Sequence, residues 1–176
     1  MHLSHPLSPL PPLLPLFSHL TTATTTTPSP PQTLNITAIV GHSNHSTFQC
    51  WSMNLTTSTD PGTSGASSGP LGPLENGTYT TLPPHFDGGL HNAPAAQYVV
   101  FLSGLAHITL PHSREEVWVR GGARGMIVAA DTAEVAGEGH RTEYPGDEVT
   151  VAVQMPFRDG VVPVHEVVGE GACRDV

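Results

Sequence analysis

His85, Asp87, His91, Gln97, Asp131 and His140 are the side chains in this chain best suited to chemistry, and all lie in the stretch from Pro83 to His140. They are imidazoles, carboxylates and one amide, donors that hold a divalent metal ion or move a proton. Imidazole suits Zn, Cu, Fe or Ni, and a carboxylate shifts preference toward harder ions. Lysine chemistry is excluded, because all six basic residues are Arg. Cys50 and Cys173 have neither metal-knuckle nor redox spacing, so catalysis through sulfur is not expected either.

These residues stand near the ends of short apolar runs, so those runs must position them. From Thr78 onward the runs are TYTTL, AQYVVFLSG, HITL, VWVRG, GMIVAA, HRTEY, VTVAVQM and VPVHEVV, separated by Gly, Pro and charged residues. Short strands at this spacing, with no helix beyond one turn in DTAEVAGEGH, predict an antiparallel sandwich or barrel. Strict alternation along QYVVFLS puts Gln97, Val99 and Phe101 on one face. A buried amide in that row needs a partner, whether ligand, water or metal.

The N-terminal part reads differently. Residues 1–23 carry an apolar, Pro-interrupted stretch followed by small residues, which predicts a secretory signal cleaved after Ala23. Residues 24–45, rich in Thr and Pro at their start, are expected to form a disordered, glycosylated linker, leaving 46–176 as the folded domain. Sequons occur at Asn35, Asn44, Asn54 and Asn76, none with Pro in the middle position. In an oxidising compartment Cys50 and Cys173 read as one disulfide clasping the two ends of the domain; in a reducing one they would be buried thiols. A secreted glycoprotein is the expectation. No later stretch is long and apolar enough for a membrane span. The net charge of -9 and the absence of a basic stripe argue against nucleic acid as a partner.

The spacing of the site residues resembles the cupin superfamily, small jelly-roll barrels with two short motifs. His91 lies six residues before Gln97, and Gln97 is followed by six residues and Gly104, a match to the H…E-x6-G end of the first motif with Gln in place of Glu. Gly125, then Asp131 where the pattern has Pro, then Gly139-His140 after an enlarged loop, resemble the second. Together with FQCW and the C-terminal Cys, the wording is similar to small secreted fungal cupin-like proteins.

The resemblance implies a single cupin-type antiparallel jelly-roll barrel with a disordered N-terminal arm. It also implies a metal set of His91, Gln97 and His140, with His85, Asp87 or Asp131 as additional ligands. The ion would be a divalent transition metal, among Zn, Mn, Fe, Ni and Cu. Three neutral donors make this a reduced version of the usual three-His-one-Glu site. Two functions follow: a non-catalytic cell-surface module binding a small molecule or carbohydrate, or a metal-dependent enzyme of oxygenase, isomerase or decarboxylase type. Homodimers are compatible with either.

Against these stand plainer roles. His107, His112 and His165 fall at no motif position and read as surface or structural, and Glu134, Glu138, Glu143 and Glu148 as an acidic rim. Asp131 also suits a turn before Thr132. Trp51 and Trp118 would line a sugar or aromatic pocket, or simply pack in the core.

Overall fold

A computed structural model describes residues 32–174. The expected signal segment, residues 1–23, lies outside the described residues, as do the linker's first residues. The described chain is all β: β1 (Thr33–His42), β2 (His45–Asn54), β3 (Thr56–Thr57), β4 (Ser67–Ser68), β5 (Thr78–Leu82), β6 (Phe86–His91), β7 (Gln97–Ser103), β8 (Leu105–Thr109), β9 (Glu116–Arg120), β10 (Met126–Ala129), β11 (His140–Tyr144), β12 (Thr150–Pro156) and β13 (Glu166–Glu170).

The strands form a seven-stranded sheet, ordered β13-β2-β1-β10-β7-β12-β5, a four-stranded sheet, ordered β6-β11-β8-β9, and the small pair β3-β4. None of these sheets closes into a barrel. The larger sheet ends at β13 and β5 and the smaller at β6 and β9, and none of these four strands has a further strand partner among the described residues. The expected antiparallel pattern holds except between β1 and β10, which run parallel.

Residues 33–45 correct the sequence reading. They do not lie in a linker: β1 pairs along its whole length with β2 and also with β10, which makes it an interior strand of the larger sheet. The hairpin turns on Ser43 and Asn44, both at positive φ, the backbone required by the tightest hairpins. The Thr, Ile and Val of TLNITAIV are strand formers. Their Ser/Thr-rich surroundings masked that preference.

Alternation along the larger sheet produces two apolar faces. Ile39, Phe48, Phe101, Ile127 and Ala152 pack against Ala106, Ile108, Val117 and Val119 of the smaller sheet, so the two sheets form a sandwich over this core. Burying each larger side chain among them contributes about 1.5–3 kcal/mol. The opposite face carries Ile36, Ala38, Trp51, Met53, Tyr98 and Val128, covered by Phe157 and by Leu71 and Leu74 of the irregular segment before β5. Trp51 is therefore a core residue, with His165 stacked on it at 3.6 Å. Cys50 and Cys173 are disulfide-bonded, tying β2 to the segment after β13.

Candidate functional site

Where the sandwich opens, the inner faces of both sheets line a cavity of about 90 Å³ that includes His91, Gln97, His140, Thr142, Tyr144 and Gln154. His91 ends β6 and His140 begins β11, and the two are direct cross-strand partners. Their ring centroids lie 4.7 Å apart. Gly139 makes this approach feasible: it sits at φ +77°, and a Cβ there would fall 2.1 Å from the His91 carbonyl oxygen. Gln97 reaches the same cavity from β7, buried as alternation required, and its amide has no partner among the described residues.

Both imidazoles are held from behind. His91 Nδ1 is 3.0 Å from the Gly89 carbonyl oxygen, which can only accept, so Nδ1 carries the hydrogen and Nε2 has the free lone pair. His140 Nδ1 is 2.7 Å from Asp131 Oδ2, which fixes the same tautomer. Asp131 is fully buried, and its Oδ2 also accepts from Ser46 Oγ at 2.7 Å. Its Oδ1 has no hydrogen-bond partner among the described residues. Asn92 donates from Nδ2 to the carbonyl oxygens of Asp131 and Ala136, clamping the loop that delivers the carboxylate. Burial pushes the Tyr144 phenol up to about 12, so at neutral pH it faces the cavity as a neutral hydroxyl.

The structure thus gathers His91, Gln97 and His140, and separates the other three candidates from the cavity. Asp131 supports His140 from behind instead of facing the cavity itself. His85 pairs with Asp147 at 3.1 Å. Asp87 pairs with Arg141 and accepts from the Gly89 N–H. Both lie beside His107 and Glu143 on the outer side of the smaller sheet, because the bulge between Arg141 and Glu143 keeps Asp87 opposite Glu143.

His107 bridges Glu116 and stacks on Trp118, and His112 pairs with Glu138, so both are surface residues. Sequence spacing does not mark Ser46 or Asn92 as site residues. Ser46 lies 85 residues from Asp131, and only the β1–β2 hairpin brings it there. The four sequon asparagines are all exposed.

Among the described residues no group of three His, Cys, Asp or Glu side chains is placed to hold a metal ion. The convergent set is two imidazoles and an amide, in an all-β two-sheet fold with one disulfide. Comparison with models of known protein families and with curated proteins finds no match.

Proposed function

We propose that this chain is a secreted, cupin-like glycoprotein that binds a divalent transition ion, with a small oxygen-donor ligand or water, in the inter-sheet cavity. An all-β two-sheet sandwich, with His91 and His140 at spacings that resemble those of the cupin-motif histidines, supports the relationship. The observation that carries the binding reading is the pair of Nδ1 contacts, His140 to Asp131 and His91 to Gly89, which leave the two Nε2 atoms as lone-pair donors. Carboxylate–imidazole support of this kind orients metal-binding histidines and raises their basicity.

The donor set fits Zn, Cu or Ni better than Mn or another hard ion, since the cavity lining offers imidazole and amide but no carboxylate. His91 and His140 would hold the ion and Gln97 would supply a neutral oxygen. The ion's contribution would be to polarise a small bound ligand. A cavity of about 90 Å³ takes an ion and a few waters, far short of the roughly 300–1,000 Å³ of pockets that enclose a larger organic ligand. A carbohydrate does not fit there. The absence of a carboxylate from the lining favours binding over the oxygenase, isomerase or decarboxylase alternative.

Exposed sequons and the Cys50–Cys173 bond support export. Enzymatic removal of N-glycans from chain made in a secretory host tests this part by mass, and an unchanged mass counts against it. Equilibrium dialysis with Zn²⁺, Ni²⁺ and Cu²⁺ tests the site. Binding at one equivalent that disappears in His91→Ala/His140→Ala is expected, and binding indifferent to both substitutions overturns the reading.

A further inference from the structure

A second, larger recess lies along the free edge of β9. It measures about 510 Å³ and is lined by Trp118, Arg120 and Arg124, with Met126, Ile127 and Ala172 among its apolar residues. In the strand EVWVR, Val117 and Val119 turn into the core while Glu116, Trp118 and Arg120 turn outward. Trp118 is 53 % exposed, against 3 % for Trp51. His107 stacks on the indole at 4.0 Å and 12°, and Trp118 lines the recess while His107 does not.

The polar groups here are unevenly committed. Glu116 is occupied: Oε2 contacts His107 Nε2 at 2.9 Å and Oε1 accepts from Trp118 Nε1 at 3.4 Å. Contact with His107 and Trp118 holds the Glu116 carboxyl below its usual range. Arg120 and Arg124, by contrast, pair with no carboxylate among the described residues, although the protein carries a net charge of -9. Two guanidiniums with no carboxylate partner among the described residues, beside an exposed indole, call for an anion with a body that can stack. Among the described residues the edge of β9 pairs only with β8, so it also presents backbone N–H and C=O groups without a strand partner at alternate residues. Ring hydroxyls both donate to and accept from such groups, whereas a carboxylate only accepts.

We propose that this recess binds an acidic saccharide, with the carboxylate of a uronic acid held by Arg120 and Arg124 and the sugar ring stacked on Trp118. The site shares only Ile127 with the inter-sheet cavity, and its volume falls within the roughly 300–1,000 Å³ of typical ligand sites.

The test is a titration of the full secreted chain, followed by tryptophan fluorescence and calorimetry, with an oligogalacturonate, its methyl ester and an aromatic carboxylate. The acid saccharide is expected to bind and to shift the Trp118 emission, with the ester weaker by about 10- to 100-fold through loss of charge-assisted hydrogen bonds. Trp118→Ala should weaken binding about tenfold or more, with Trp118→Phe retaining most of it. Arg120→Gln/Arg124→Gln should bring acid and ester to equal affinity, and His91→Ala/His140→Ala should leave both unchanged. If Trp118→Ala fails to fold, the exposed arginine pair decides. Equal affinity of wild-type chain for acid and ester, binding untouched by the arginine substitutions, or binding of the aromatic acid without the saccharide would each overturn the proposal.

Discussion

Asp131→Asn, compared with Asp131→Ala, isolates the group that supports His140. The Asp131 carboxylate accepts from two buried donors, His140 Nδ1 and Ser46 Oγ, each at 2.7 Å. Alanine leaves both donors unpaired, at about 1–3 kcal/mol each, so a loss of roughly 2–6 kcal/mol is expected, partly offset because a buried charge is also removed. Asparagine keeps the volume and one acceptor oxygen, and should cost only about 1–2 kcal/mol. Its effect on the ion should be larger in proportion, because removing a carboxylate behind a metal-binding imidazole lowers affinity by about 10- to 100-fold. Urea denaturation gives the first quantity and Zn²⁺ calorimetry the second. A destabilised Asp131→Asn variant with wild-type affinity would refute the idea that Asp131 acts on the site through His140, and would leave it a structural residue alone.

Three further outcomes follow from the fold. Deleting the chain up to His45 removes interior strand β1, so the truncated protein should lose cooperative thermal unfolding, whereas a linker could be trimmed without effect. Replacing Cys50 and Cys173 with Ser opens a closure spanning 123 residues, expected to cost about 5 kcal/mol on the chain-entropy relation and to show as a lowered urea midpoint. Burial pushes the phenols of Tyr98 and Tyr144 up to about 12. Their contribution to stability should therefore be intact below about pH 10, where unfolded tyrosine begins to ionise, and be lost as pH rises toward 12, read as a falling melting temperature alongside tyrosinate absorbance.

The sequence disclosed the strands best where alternation was clean. QYVVFLS, MIVA and TVAVQM became β7, β10 and β12, and Gln97 faces inward as its row of Val99 and Phe101 required. For Trp118 the expectation of core packing fails: it turns outward from β9, 53 % exposed, while Val117 and Val119 turn inward. The β1–β2 hairpin is hard to read from sequence because the Thr-rich composition around it obscures the period-two pattern it contains. Closure was not legible at all, since alternation assigns faces and says nothing about which edges meet. The site was half visible. His91, Gln97 and His140 could be picked out by spacing, while the Ser46–Asp131–His140 chain depends on contacts between distant segments that no local pattern records.

Cu²⁺ binding followed by electron paramagnetic resonance, on wild type and on the His91→Ala, His140→Ala and double variants, tests the central claim most directly. One ion per chain is expected, coupled to two imidazole nitrogens, with one nitrogen lost in each single variant and binding lost in the double. The signal should also fade on acidification, because only neutral imidazole ligates. A copper signal that survives the double substitution unchanged, or wild-type chain that binds none of the three ions at micromolar concentration, would contradict the account.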